Sequence, residues 1–140
     1  MEYQYTYETM FVGMQLETVV HPITQDFVAE YVASTGDTHP WHTGGPTPFD
    51  GIIAPPMMFL KFSSSTMGIG GTQRPSGGIH AFHEFHYLAP LYVGRTLTTT
   101  GKVVDRYEKK GRKYISVATE SVDDLGTVIG RTRFSSIFPF

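Results

Sequence analysis

Two adjacent prolines, Pro55 and Pro56, stand directly before Met57-Met58-Phe59-Leu60-Lys61-Phe62. Proline is accommodated in the first turn of a helix, where its missing N–H has no intrahelical partner to lose, so the pair marks a helix start. The residues that follow are apolar on almost every face, and a helix of that kind belongs inside a protein, wrapped by other structure. With 140 residues, the chain has room for one domain, 1–140, and one core. Whatever else it folds into must enclose that helix.

The second half of the chain supplies the wrapping. Ile79 to Leu88, Thr96 to Tyr107, Tyr114 to Val122 and Thr127 to Phe138 are rich in Thr, Val, Ile, Tyr and Phe, which favour strands. Lys109-Lys110-Gly111-Arg112 and Asp123-Asp124-Leu125-Gly126 read as hairpin turns, so the strands are expected to pair antiparallel in sequence order. Tyr3, Tyr5 and Tyr7 alternate with polar residues and predict a further half-buried strand that continues towards Val20. Thr24, Asp26 and the pairs Phe27/Tyr31 and Val28/Val32 predict a capped helix ending near Thr35, with Gly36 placed to close it. Residues Asp37 to Asp50, with three prolines, and Gly68 to Gly78, with five glycines, read as loops. An antiparallel sheet around one apolar helix is an α+β arrangement.

Composition removes several functions. Eleven Lys and Arg against 13 Asp and Glu give a net charge of −2, with no basic block suited to a phosphate backbone, so no nucleic-acid partner is expected. No apolar run approaches the ~18 residues of a membrane span, and Met1 to Met10 lacks a basic leader region, so a cytoplasmic chain without a membrane partner is expected. The absence of cysteine excludes thiolate metal sites and a cysteine nucleophile. Ser63-Ser64-Ser65-Thr66 has no nucleophile-elbow glycines around it, and the cluster Lys109, Lys110, Arg112 and Lys113 reads as a solvated turn.

His80, His83 and His86 resemble a metal triplet at first sight. On a regular strand, however, His83 faces opposite to His80 and His86, which lie about 20 Å apart at roughly 3.3 Å per residue. Three ligands do not converge from there, and no metal is expected. His83 shares the face of Ile79, Ala81, Phe85 and Tyr87, where a hydrogen-bonded histidine in an apolar sheet face is expected.

The stretch Thr35-Gly36-Asp37-Thr38-His39-Pro40-Trp41-His42 carries the chemistry. In a continuous helix Asp37 and His42 would project about 140° apart, but Pro40 forbids that helix and biases His39 towards extended geometry. The resulting turn can bring an acid and an imidazole to one small cavity, where they form a general acid/base pair without a metal. On spacing alone, an Asp that merely caps a loop N–H beside an unrelated histidine explains the stretch equally well.

Tyr31-Val-Ala-Ser-Thr-Gly-Asp37-Thr-His-Pro-Trp-His42 resembles the hydratase signature of the MaoC-like hot dog proteins, the (R)-specific enoyl-thioester hydratases and dehydratases. The resemblance extends to Phe11-Val-Gly-Met14, to Gly51-Ile-Ile-Ala-Pro-Pro-Met57 at the start of the central helix, to Tyr87-Leu-Ala-Pro-Leu-Tyr-Val-Gly94 and to the hairpin from Gly101 to Arg131. It implies a hot dog fold, an antiparallel sheet wrapped around a central helix. It also implies that Asp37 and His42 are the catalytic pair, adding water to, or removing it from, a 2-enoyl or 3-hydroxyacyl thioester carried by CoA or an acyl carrier protein. No cofactor is implied.

His39 stands where the family usually has Asn, and Trp41 replaces a smaller aliphatic residue. Pro55-Pro56-Met57 replaces the usual His-Gly-Met, as in a subgroup resembling the dehydratase domain of fungal fatty acid synthase. The Met57 N–H is then the candidate oxyanion donor, with Ala54 and His39 as further substrate-binding candidates. A homodimer is expected, because Phe82, Phe85, Tyr87 and Phe138 are more aromatic surface than a monomer of this size hides; a heteromer is the other possibility. Two rivals remain. A hot dog thioesterase would want a carboxylate near the central helix, and Met57 to Met67 holds no Asp or Glu. A non-catalytic partner subunit of a heteromeric hydratase should lack the pair that Asp37 and His42 form.

Overall fold

A computed structural model of the chain describes residues 3–68 and 73–139. β1 (Val19–Pro22) leads into α1 (Gln25–Thr35) and the one-turn helix α2 (Pro40–Thr43). The central helical segment follows as a 3-10 turn at Pro56–Met58, α3 (Phe59–Ser64) and a second 3-10 turn at Ser65–Met67. β2 (Ile79–Tyr87), β3 (Thr96–Lys109), β4 (Arg112–Asp123) and β5 (Val128–Phe138) complete the chain. All strands pair antiparallel in a five-stranded sheet of order β1-β3-β4-β5-β2.

Local chemistry explains the elements that the sequence predicted. Thr24 Oγ1 accepts the Phe27 N–H at 3.1 Å, and Gly36 closes α1 in the left-handed region at φ 69°. Lys110 (φ 50°) and Gly111 (φ 73°) make the two-residue turn between β3 and β4, a backbone twist that matches that of the strands it joins. Asp123 Oδ1 accepts the N–H groups of Leu125 and Thr127 at 3.0 and 2.9 Å and so fixes the β4–β5 turn.

The sheet departs from sequence order at β2, which pairs with β5 and not with β3. The segment between β2 and β3 is occupied elsewhere: Ile53 bridges Tyr92, and Ala54 N–H donates to Leu91 O at 2.7 Å. Residues 3–18 are also not a strand of the sheet. Tyr5 and Tyr7 are buried because they pack onto the core, and Arg106 lies over the Tyr7 ring at 4.0 Å while donating to Tyr7 O at 3.0 Å. Alternating burial there reports side-chain packing on a turn-rich path held by separate backbone bonds such as Leu16 N–H to Gly101 O.

The helical segment sits on the inner face of the sheet at two glycines. A Cβ on Gly101 would lie 3.1 Å from Thr66 Oγ1, and one on Gly130 would lie 3.0 Å from the Phe59 ring, so helix and sheet meet closest where no side chain intervenes. Buried hydroxyls accompany these glycines, with Thr99 and Ser121 paired at 2.8 Å and Thr119 and Thr132 at 2.5 Å. One apolar cluster forms around Phe62, Phe59, Ile129 and Leu97, and a second around Met67, Phe134, Val117 and Tyr5. The helix is not enclosed on all sides by its own chain, since Met57 is 52% and Leu60 40% exposed. The expected loop from Gly68 to Gly78 falls partly outside the described residues.

Candidate active site

The Asp37–His42 segment is built by three consecutive backbone decisions. Gly36 reverses the chain at the end of α1, and the Asp37 N–H returns to Val32 O at 3.0 Å. His39, held extended at φ −60° and ψ 131° ahead of proline, forms the N-cap of α2, and Pro40 takes its first position. Gly44 at φ 92° then closes α2 after one turn. Pro40 therefore ends the possibility of one long helix and starts a second short one, a turn absent from the sequence expectation of a plain loop.

Asp37 is half-buried, and its Oδ1 accepts the His39 N–H at 2.9 Å. His42 is also half-buried, and its Nδ1 lies 2.7 Å from the Ile53 carbonyl oxygen. A carbonyl oxygen only accepts, so Nδ1 carries the proton and Nε2 of the neutral ring keeps its lone pair. The Ile53 N–H in turn donates to Trp41 O at 3.1 Å, knitting α2 to the segment that leads into the central helix. The His39 ring lies 5.7 Å from that of His42, and its Nδ1 accepts the Trp41 N–H at 3.3 Å. Asp37 and His42 thus flank His39 on one loop, with no hydrogen bond between their side chains among the described residues.

Beside this loop opens an apolar groove of about 340 Å³, lined by Trp41, Phe49, Ile53, Ala54, Phe59 and Tyr87 among others. Trp41 meets Phe49 edge-on at 5.1 Å, and Phe59 meets Tyr87 in the same way at 5.6 Å. Of the amide groups of the three substrate-binding candidates, that of Ala54, which lines the groove, is spent on Leu91 O and that of His39 on Asp37. Ala54 therefore contributes apolar lining and no N–H. The Met57 N–H, second in its 3-10 turn, meets no acceptor among the described residues.

The β2 histidines depart from strict alternation. A bulge between His80 and Phe82 shifts the register against β5 and brings His80 onto the face of His83. His80 Nε2 and His83 Nδ1 are 2.9 Å apart, and His83 Nε2 is 3.1 Å from Ser63 Oγ of α3. Ser63 already donates to Phe59 O at 2.7 Å, so its oxygen accepts from His83 Nε2–H, and His83 Nδ1 accepts from His80. The hydrogen-bonded role expected for His83 is present, with a neighbour the parity argument had placed on the other face. No group of His, Asp and Glu among the described residues is arranged to hold a metal ion.

Sequence reasoning had no access to two groups. The Ile53 carbonyl that fixes the His42 tautomer is a backbone atom with no signature in the side-chain pattern. Ser63, as partner of His83, would have required knowing that β2 lies over the central helix.

A sequence profile of the FAS1-like dehydratase domain region matches residues 10–131. The chain belongs to that family. No curated protein matches it by sequence. Among solved structures it resembles the monoamine oxidase regulatory protein of Archaeoglobus fulgidus, at 19% identity and a TM-score of 0.80 over 94% of this chain and 92% of that one. It also resembles the (R)-hydratase PhaJ1 of Pseudomonas aeruginosa, at 20% identity and TM-score 0.78 over 95% and 84% of the two chains. A MaoC-like dehydratase from Rhodospirillum rubrum follows at 18% identity and TM-score 0.76 over 95% and 96%. These likenesses establish the MaoC-like hot dog fold. No helix among the described residues is long and apolar enough to cross a membrane.

Proposed function

We propose that this dehydratase-family chain adds water to, or removes it from, the α,β bond of an acyl thioester carried by CoA or an acyl carrier protein. The observation that carries the reading is the His42 ring. Its Nδ1–H is anchored on Ile53 O, which leaves Nε2 free to exchange a proton on the same loop as the Asp37 carboxylate. In hydration the oxygen of a water held by this pair bonds to the β-carbon while one of its protons passes to the pair. A proton from the pair goes to the α-carbon, and dehydration runs the same steps in reverse. Negative charge that develops on the thioester oxygen meets the unpaired Met57 N–H at the start of the central helix, and the apolar groove takes part of the acyl group.

The test is steady-state hydration by the purified protein across a panel of enoyl-CoA chain lengths, followed by loss of conjugation. Turnover on at least one chain supports the reading, and none on any chain overturns it.

The protein is proposed to act as a dimer. β2 is an edge strand with Ile79, Phe82 and Tyr87 exposed, and Leu60 and Met57 of the helical segment are uncovered as well. Phe138, expected among these surface aromatics, is instead buried in the core, and Phe85 is half-buried. A monomeric mass at micromolar concentration would argue against the dimer.

A further inference from the structure

α2 is too short to hold itself together, and its one side-chain cap is an imidazole. His39 Nδ1 accepts the Trp41 N–H at 3.3 Å, while the His39 ring packs edge-on against the Trp41 ring at 4.8 Å and tilted against the His42 ring at 5.7 Å. Elsewhere α2 is tied by Thr43 Oγ1 to His39 O, by Gly45 N–H to Pro40 O and by the two bonds to Ile53. Capping residues are ordinarily Ser, Thr, Asp or Asn, whose oxygens accept at any pH near neutrality. An imidazole nitrogen accepts only while it is unprotonated. A proton taken up by the His39 ring lands on Nδ1, because the cap requires Nε2 to carry the proton already. The atom that accepted then becomes a donor facing the Trp41 N–H, and the cap is lost.

From this we infer that His39 is a positioning residue whose neutral ring holds α2, and with it His42, and releases that turn on acidification. The titratable groups around it are few. Asp37 takes the His39 N–H on Oδ1, and the His42 ring lies beside it. Asp50 follows Phe49, the ring that covers the far side of Trp41. The carboxylates of α1, Asp26 and Glu30, stand in its first two turns, away from the Thr35 end that leads into the loop. Asp37 holds the His39 backbone and not its ring, so the ring can leave without breaking the turn that precedes it.

The effect on turnover rests on the hydratase reading; the effect on Trp41 rests on α2 alone. Trp41 is the only tryptophan in the chain, so its fluorescence reports this turn without labelling. Acrylamide quenching of Trp41 is measured at pH 7.5 and 5.5 for the wild type, His39→Asn and His39→Ala. The bimolecular quenching constant is expected to rise about twofold on acidification in the wild type and to stay level in His39→Asn, whose amide oxygen caps at both pH values. His39→Ala should show the raised value at both. An equal pH response in wild type and His39→Asn, or a His39→Ala value equal to the wild type at pH 7.5, overturns the inference.

The second readout is enoyl-CoA hydration. The wild-type to His39→Asn ratio of kcat should fall about fivefold or more between pH 7.5 and 5.5, with KM following a common course in the two proteins. Parallel kcat profiles remove the positioning role. A protein inactive on every thioester overturns the hydratase reading, and the Trp41 measurement then decides the cap by itself.

Discussion

The molecule holds two pairs of histidines whose nitrogens meet different partners, backbone in one pair and side chains in the other. At α2, His39 and His42 each spend one ring nitrogen on the backbone and leave the other without a partner among the described residues. On β2, His83 spends both nitrogens on side chains, Ser63 Oγ and His80 Nε2, and is sandwiched against Phe85 at 4.1 Å with the rings nearly parallel. The first pair is oriented and still able to exchange protons; in the second, His83 is saturated and holds the edge strand to the central helix. The difference teaches that a histidine's role is read from the atoms left over after its hydrogen bonds are counted, and less from its burial.

The widest separation between the two pairs should appear in turnover. Asp37→Asn or His42→Ala is expected to lower kcat by about two to four orders of magnitude, the usual contribution of a general acid or base, while costing about 1 kcal/mol of stability or less. Near-native turnover in both variants, on a substrate the wild type hydrates, would erase the distinction. His83→Ala should do the reverse. It strands His80 and Ser63 and removes an aromatic contact, so denaturant unfolding should show a loss of about 1 to 3 kcal/mol, with kcat changed less than about threefold. A kcat loss as large as that of His42→Ala would place β2 in the chemistry.

The smallest expected effect is the response to acid. Burial, and then the neighbouring His80, push the His83 imidazole down to about 4, and burial lowers His80 and His21 as well. The unfolded chain takes up protons on these residues near the ordinary value of about 6.5, while the folded chain takes them up only at lower pH, about 4 for His83. Stability is therefore full above about pH 6.5 and declines as the pH falls towards 4. Between pH 7 and 5 the His83 contribution should be a loss of about 1 to 2 kcal/mol, trimmed by partial solvent access. His83→Asn should flatten that limb in urea titrations; an unchanged slope would show that other groups carry it.

Those elements whose signals are local were legible in the sequence. α1 was bounded by Thr24 and Gly36, both of which act within a turn of themselves, and the β3–β4 turn by Lys110 and Gly111. The Asp37 to His42 stretch was legible because Pro40 dictates the break that folds it back on itself. What escaped was set by distant partners. Nothing near β2 announces that β5 will be its neighbour, and the bulge after His80 is a register adjustment between two strands separated by more than 40 residues. The tyrosines at 5 and 7 alternated as a strand would, yet it was Arg106, a hundred residues away, that decided how Tyr7 is covered.

The open edge of β2 also bears on how the protein behaves in a tube. Nine residues of unpaired ladder, carrying Ile79, Phe82 and Tyr87, form a template onto which another extended chain can be laid. The contact between Glu84 and His86, between Phe82 and the end of the strand, sets a carboxylate and an imidazole along it, in the manner of a gatekeeper against stacking. Replacing Glu84, by Glu84→Val for example, would remove the strand's one carboxylate and leave its histidines as the polar residues along it. Preparations of such a variant should precipitate on concentration, an effect on solubility in vitro that arises far in sequence from the Asp37–His42 loop.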